Sequence, residues 1–209
     1  MLMMEGSHEK EMYLRYFLPL YLFVYVLAAF VWRSYIVWKH TGINPVTFKG
    51  SDSAHDFVGR VFKFFFILVV LVVFVYSFFP FAYTYTAPIQ WLEYGWLRSI
   101  GVVLLLLSLL WIGLAQSEMG EAWRIGIDTE HRTPLVENGV FRISRNPIFL
   151  GMMLTLFGLF LILPNMLTLL ACVLGVVVIG VQVRLEEEYL AQLHPEAYPS
   201  YRQRVRRWL

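Results

Sequence analysis

The segment MGEAWRIGIDTEHRTPLVENGVFRISRNPIFLGM, residues 119–152, is a polar stretch between two long apolar runs of this 209-residue chain. Irregular, charged backbone near a bilayer must line a cavity or face water. We therefore expect this segment to build a functional site at one end of a set of membrane helices. Its charged side chains would each cost several kcal/mol in hydrocarbon, and they are Glu121, Arg124, Asp128, Glu130, Arg132, Glu137, Arg142 and Arg145.

The composition predicts an integral membrane protein. Hydrophobic residues make up 58% of the chain, charged residues 15%, and mean hydropathy is +0.60, whereas soluble domains carry about 25% charged residues. We interpret residues 1–209 as one membrane domain, with two spans in residues 16–97 and the functional C-terminal part in residues 99–209. A net charge of +2 gives no reason to expect nucleic acid as a partner. The lone Cys172 excludes an internal disulfide and a cysteine-only metal site.

Uncharged runs of the length of a bilayer predict about five transmembrane helices. The first three are Tyr16–Trp32, Phe64–Phe79 and Ser99–Ser117. The run Asn146–Val183 is about twice as long as one span needs, and Pro164-Asn165 interrupts it. It is therefore expected to form a helical hairpin with a tight turn at the interruption.

The distribution of Lys and Arg predicts the topology. Five spans place the segments Arg33–Lys63, Met119–Arg145 and Arg184–Leu209 on one side, and these hold most of the basic residues. By the positive-inside rule that side is the cytoplasm, with the N-terminus outside. The basic, aromatic end Tyr198–Leu209 is interpreted either as a surface helix against anionic lipid or as a simple stop-transfer cluster.

Two polar clusters lie at the two ends of the predicted hairpin. Arg142, Arg145 and Asn146 precede its first helix, and Arg184 with the run Glu186–Glu188 ends its second. An antiparallel hairpin brings these ends together. The clusters then form either a binding site or an ion-pair network that ties the helices to each other.

Five motifs carry a resemblance to a known family. They are Gly120-x-x-Trp123, Leu135-Val136-x-x-Gly139-Val140-Phe141, Ser144-Arg145-Asn146-Pro147-Ile148-Phe149-Leu150-Gly151, Glu186-Glu187-x-x-Leu190 and Tyr198-x-x-Tyr201-x-x-x-Val205-x-Arg207. In order and spacing, this part of the chain resembles the isoprenylcysteine carboxyl methyltransferase family. That family belongs to a wider group that includes phospholipid N-methyltransferases.

The resemblance implies methyl transfer from S-adenosyl-L-methionine, bound at the cytoplasmic face, to a lipophilic acceptor in or at the membrane lipids. An amino-acid cofactor needs cations or amides for its carboxylate, which Arg145 and Asn146 offer, and a carboxylate for its ammonium, which Glu186 or Glu187 offers. The implied cofactor residues are Trp123, Leu135, Val136, Gly139, Val140, Arg145, Asn146, Pro147, Phe149, Gly151, Glu186 and Glu187. Arg142, Arg145 and Arg184 are the candidate catalytic residues; of these, Arg142 or Arg184 is expected to hold an anionic acceptor, and no metal is implied.

Two positions depart from the family pattern, which has His where this chain has Asn146 and Tyr where it has Phe149. An amide does not titrate near neutral pH, so acid–base chemistry is not expected at Asn146. A methyl transfer to a carboxylate needs alignment and desolvation rather than a proton shuttle. A phospholipid amine or a small thiol remains open as the acceptor. An NADPH-dependent sterol-type reductase and a non-catalytic scaffold remain as alternatives to a methyltransferase.

Three other groups of polar residues are interpreted as structural. His55 and Asp56 are expected to be a solvated pair in the first polar segment, and the lone His131 and His194 are read in the same way. Gln116 and Glu118 are expected to cap or flank the end of the third span.

Overall fold

The computed structural model describes residues 2–48 and 50–209, and the side chains of residues 12–48 and 50–209. All its regular elements are helices. They are α1 (Leu2–Val26), a π-helical turn (Leu27–Trp32), α2 (Arg33–Thr41), α3 (Ala54–Phe78), α4 (Pro80–Tyr83), α5 (Gly95–Met119), α6 (Pro147–Ile162), α7 (Met166–Leu193) and α8 (Ala197–Arg204), with short 3₁₀ turns in the connections.

Four helical stretches are long and apolar enough to cross a membrane: Met12–Thr41, Ala54–Phe78, Gly95–Ala122 and Met166–Leu193. The prediction of an all-α membrane protein is therefore confirmed. Helix α6 is apolar but has only 16 residues, which is ~24 Å at 1.5 Å per residue. It is shorter than a typical span, so the count of five crossings stays a prediction.

The hairpin at the Pro164-Asn165 interruption is present and well capped. Helix α6 ends before Leu163 and α7 begins after Asn165. The Asn165 side chain accepts hydrogen bonds from the backbone N–H groups of Leu167 and Thr168, each at 3.0 Å. Asn165 is fully buried there, so its cap also satisfies helix donors that water does not reach.

Helices α5 and α6 approach each other through glycines. A Cβ at Gly101 would lie 2.6 Å from the carbonyl oxygen of Gly158, and a Cβ at Gly151 would lie 2.5 Å from the Ile112 side chain. Ser108 and Thr155 share a hydrogen bond of 2.8 Å between the same two helices. Small residues and hydroxyl pairs of this kind are what bring helices together in a membrane.

The largest core cluster joins α1, the π-helical turn, α3, α5, α6 and the start of α7. The phenol of Tyr21 in α1 donates to the carbonyl of Leu105 in α5 at 3.1 Å. In the adjacent π-helical turn, the carbonyl of Ala29 accepts a hydrogen bond of 2.8 Å from the buried Gln116 amide. Gln116 therefore links α5 to the π-helical turn after α1, instead of only capping its own helix.

Helix α3 begins earlier than the sequence predicted, at Ala54 instead of Phe64. The prediction treated the charged residues before Phe64 as loop, but a charged side chain does not break a helix. Ser53 supplies the start, because its hydroxyl accepts from the backbone N–H of Asp56 at 3.2 Å. His55 and Asp56 thus lie in the first helical turn, and Asp56 is buried, so the prediction of a solvated loop pair was wrong.

The connections gather at two opposite ends of the helices. At one end the loop after α2 pairs with the loop after α5: Thr47 N–H donates to the carbonyl of Ile125 at 3.1 Å. At the other end Ile89 N–H donates to the carbonyl of Pro164 at 2.7 Å, beside the hairpin turn. Two of the predicted cytoplasmic segments thus meet at one end, as the charge pattern requires.

Candidate functional site

The carboxylate of Glu187 is the centre of the polar cluster at the foot of the hairpin. Its Oε1 accepts hydrogen bonds from Arg145 Nη2 at 3.1 Å and from Asn146 Nδ2 at 3.0 Å, and its Oε2 accepts from Arg207 Nη2 at 2.8 Å. Glu187 and Arg145 are both deeply buried, with side chains 7% exposed. The sequence predicted that Arg145, Asn146 and Glu187 would meet, and the structure places them together.

The C-terminal tail closes over this cluster. Arg145 Nη1 donates to the carbonyl of Val205 at 2.6 Å, and Arg145 N–H donates to the carbonyl of Arg206 at 3.0 Å. The Tyr201 hydroxyl donates to the carbonyl of Phe141 at 2.7 Å, and burial raises the pKa of this phenol, so it stays a donor. The tail is therefore a packed part of the site.

The ion pair between Arg207 and Glu187 also holds the tail. Hydrogen bonding to Glu187 raises the pKa of Arg207, whose guanidinium is only partly exposed. Arg145 uses four of its five N–H donors on Glu187, Arg202 and Val205. Arg145, Asn146 and Glu187 are thus mostly occupied with one another and with the tail.

Glu186 points to a different set of partners, because successive helical residues are ~100° apart. Its Oε1 accepts a hydrogen bond of 2.8 Å from Gln182 Nε2. The Gln182 side chain is buried, and its own Oε1 has no hydrogen-bond partner among the described residues. The carboxylate of Glu186 and Oε1 of Gln182 are therefore both acceptors on this face of α7.

The segment that precedes the hairpin is held by Glu118 at the end of α5. Glu118 Oε2 accepts from the backbone N–H of Val140 at 2.7 Å. Gly139 adopts φ +55°, and a Cβ there would lie 1.9 Å from the Glu118 carboxylate, so glycine is required by this contact. Sequence reasoning gave Glu118 only a flanking role; a carboxylate at a helix end facing a glycine turn was the missed signal.

The loop between Gly120 and His131 has its own anchor in Asp128. The carboxylate accepts from Arg124 Nε at 2.9 Å and from the backbone N–H groups of Glu130 and His131. Burial alone would raise the pKa of Asp128, but these hydrogen bonds outweigh it and lower the pKa to about 2. The Tyr189 hydroxyl on α7 donates to the Asp128 carbonyl, which fixes the loop against the same helix that carries Glu186.

The remaining candidate residues are spread around this end of the molecule. Pro147 accepts a hydrogen bond of 2.9 Å from Trp111 Nε1, and Gly151 packs against Ile112, so both face α5. Val136 and Val140 pack against the end of α5 as well. Trp123 is buried, Leu135 and Phe149 are half-buried, and Arg142 and Arg184 are exposed.

An apolar groove of about 420 Å³ runs along the hairpin towards the polar end. Its walls are Met153 of α6, Val177 and Val181 of α7, and Trp208 of the tail, and Arg184 also lines it. Arg184 Nη1 donates to the carbonyl of Gly180 at 2.6 Å. The sequence named Arg184 as a possible anion ligand but did not reveal the groove, because Trp208 joins it only through the folded tail.

Comparison with known proteins finds a matching protein family. Residues 96–197 match the sequence model of the phospholipid methyltransferase family. This range runs from α5 to the first residue of α8 and includes Glu118, Arg145 and Glu187. No curated protein matches the chain. Residues 96–197 are therefore similar to the phospholipid methyltransferase family, in the group of membrane methyltransferases that also includes the isoprenylcysteine carboxyl methyltransferases.

Proposed function

We propose that the protein transfers the methyl group of S-adenosylmethionine to a lipophilic acceptor with an anionic group, as in carboxylate O-methylation of the isoprenylcysteine type. The observation that carries this proposal is the arrangement at one end of the α6–α7 hairpin. The hydrogen-bonded side chains of Glu186 and Gln182, which suit the ammonium of an amino-acid cofactor, lie there beside an apolar groove that contains one cation, Arg184.

The side chains present fit the cofactor. An ammonium group needs acceptor oxygens, and the carboxylate of Glu186, which accepts a hydrogen bond from Gln182 Nε2, supplies them. The carboxylate of the cofactor needs a donor, and Arg142, an exposed guanidinium in the 3₁₀ turn before α6, is the candidate. Arg145, Asn146 and Glu187 then act mainly by fixing the tail, and Leu135 and Val136 present half-buried apolar surface for the adenosine.

When bound, the cofactor supplies an electrophilic methyl group on a sulfonium sulfur. The chain's contribution is to orient the acceptor and to exclude water. Arg184 attracts an anionic head to the polar end of the groove, while Val177 and Val181 contact its hydrocarbon chain. A carboxylate oxygen has no proton to lose when it attacks, so the absence of a titrating side chain at Asn146 is no obstacle.

A phospholipid amine is the second candidate acceptor, and the family match favours it. A phospholipid also carries an anionic phosphate that Arg184 can bind. Its ammonium must lose a proton before it attacks, so this reaction needs a base that a carboxylate acceptor does not.

The test is a methyl-transfer assay with radiolabelled S-adenosylmethionine and two acceptors, N-acetyl-S-farnesylcysteine and dioleoylphosphatidylethanolamine. Base-labile methyl ester on the first supports O-methylation, and base-stable label on the second supports N-methylation. Arg184→Ala is expected to raise the acceptor KM about tenfold, the loss of one charge-assisted contact, with cofactor affinity unchanged. Lys63→Ala on α3 is the control. Folded protein that transfers label to neither acceptor, nor to a membrane lipid extract, contradicts the proposal.

A further inference from the structure

We infer that His55, in the first turn of α3, is a positioning residue for Glu186 and acts through Gln182. This inference rests on the proposed function, in which Glu186 binds the ammonium of the cofactor. His55 lies outside the region that matches the family model, residues 96–197.

The His55 ring is fixed on two sides. It stacks on Phe48 with ring centroids 4.7 Å apart and an interplanar angle of 18°. Its Nε2 accepts a hydrogen bond of 3.1 Å from the backbone N–H of Ile127. Gly126 allows that approach, since it adopts φ +97° and a Cβ there would lie 2.7 Å from Nε2.

The bond to Ile127 sets the tautomer of the imidazole. A nitrogen that accepts an N–H bond carries no proton, so the neutral ring has its hydrogen on Nδ1. His55 Nδ1 is buried and has no hydrogen-bond partner among the described residues, and the same holds for Gln182 Oε1. His55 and Gln182 lie on α3 and α7, two helices that pack against each other, and the two side chains interact. A buried donor and a buried acceptor that are each unpaired lose about 1–3 kcal/mol, and a hydrogen bond between the two satisfies both.

The three bonds then run in one direction. Ile127 N–H donates to His55, and Gln182 Nε2 donates to Glu186 at 2.8 Å; the inferred bond from His55 Nδ1–H to Gln182 Oε1 joins the two. Hydrogen bonds aligned in this way polarise one another. The chain ends on a carboxylate oxygen, so it favours the ionised Glu186 and fixes its rotamer, as ammonium binding requires.

Two substitutions at His55 separate this positioning role from simple anchoring of the loop. In His55→Asn the amide NH₂ occupies roughly the place of Nδ1, so it keeps the donor to Gln182 and loses the bond to Ile127. In His55→Gln the amide oxygen reaches roughly the place of Nε2, so it keeps the loop contact and loses the donor. Positioning of Glu186 therefore predicts that Asn is the better replacement, and loop anchoring predicts that Gln is.

The readout is the affinity for S-adenosylhomocysteine of the detergent-purified full chain, measured by isothermal titration. We expect His55→Gln and Gln182→Leu to weaken binding about tenfold, the cost of one misplaced hydrogen bond, and His55→Asn to stay within about threefold of wild type. His40→Gln, an exposed histidine in α2, is the control. Equal affinity of wild type, His55→Gln and Gln182→Leu overturns the inference, and so does an equal loss in the Asn and Gln variants.

A second measurement does not depend on ligand binding. ¹⁵N NMR of histidine-labelled wild-type protein reports the tautomer of each imidazole, with His55 identified by the resonance missing from His55→Asn. We expect the Nδ1–H tautomer for His55. An Nε2–H or doubly protonated ring overturns the inference. If wild type carries the Nδ1–H tautomer but does not bind S-adenosylhomocysteine, the proposed function fails and with it the role given to Glu186.

Discussion

At the scale of single residues, Glu187 is the most constrained side chain of the site. Two guanidinium groups and one amide converge on its carboxylate, at 2.8 to 3.1 Å for the shortest contact of each. The sequence motif predicted Arg145, Asn146 and Glu187 as neighbours because a hairpin brings its ends together. It could not predict that the carbonyls of the tail would occupy Arg145, since those bonds depend on how residues 202–207 fold back.

We predict that Glu187→Gln destabilises the protein by about 3 kcal/mol. Removing the charge leaves the buried Arg145 without its partner, and breaking one side of a buried ion pair costs that much. Thermal unfolding in detergent, followed by circular dichroism, measures the loss. Glu188→Gln is the matched control, because Glu188 is exposed; an equal melting temperature for the two variants would show that Glu187 does not hold the tail.

The loop carboxylate Asp128 gives a pH prediction. Its pKa is lowered from the ordinary 3.8 to about 2 in the folded chain, so its stabilising contribution is complete above pH 3.8 and is lost as pH falls towards 2. Hydrogen exchange of the Glu130 and His131 amides, corrected for intrinsic rates, should show protection at pH 5 that falls at pH 2.5. In Asp128→Asn these amides should already be poorly protected at pH 5. Unchanged protection in that variant contradicts the anchoring role.

At the scale of the elements, the hairpin and its turn could be predicted because Pro164 and Asn165 interrupt an apolar run of fixed total length. The start of α3 could not be predicted from the sequence, because hydropathy alone does not distinguish a charged loop from a charged helical turn. That error also hid His55, which was expected in solvent and instead lies between Phe48 and Ile127. The Ser53 cap, with Asp56 three residues later, was the local signal that the helix begins earlier.

The glycine contact between α5 and α6 is testable with two identical substitutions on one helix. Gly101→Ala places a methyl group 2.6 Å from the backbone oxygen of Gly158, whereas a Cβ at Gly113 meets nothing within 4 Å. Overpacking of this kind costs roughly 1–3 kcal/mol, while Gly113→Ala should be neutral or slightly stabilising. Thermal unfolding in the same detergent compares them. If Gly101→Ala is as stable as Gly113→Ala, the two helices are not in the close contact described.

At the scale of the whole molecule, the charge pattern predicted that three polar segments share one end. The loops after α2 and α5 are joined through Thr47 and Ile125, and the tail covers the hairpin foot through Arg145. The segment that holds Ile89 lies at the opposite end with the hairpin turn. The groove beside Arg184 was not predictable, since three separate elements form it.

Orientation in the membrane is a prediction of the same pattern. In a Cys172→Ala background, Asp52→Cys and Gln203→Cys should be blocked by a membrane-impermeant maleimide only from the cytoplasmic side, and Tyr85→Cys only from outside. All three positions are exposed. Labelling of Asp52→Cys and Gln203→Cys from opposite sides would contradict the topology, whereas labelling of both only from outside would invert its orientation.

The central claim is that the polar end of the α6–α7 hairpin binds the methyl donor. The most direct measurement is isothermal titration of the detergent-purified chain with S-adenosylhomocysteine, with NADPH as the comparison and Glu186→Gln as the site variant. The account predicts micromolar binding of S-adenosylhomocysteine by wild type, at least tenfold weaker binding by Glu186→Gln, and no binding of NADPH. Binding of NADPH alone would place the protein with the reductases, and binding of neither ligand by folded protein would contradict catalysis altogether.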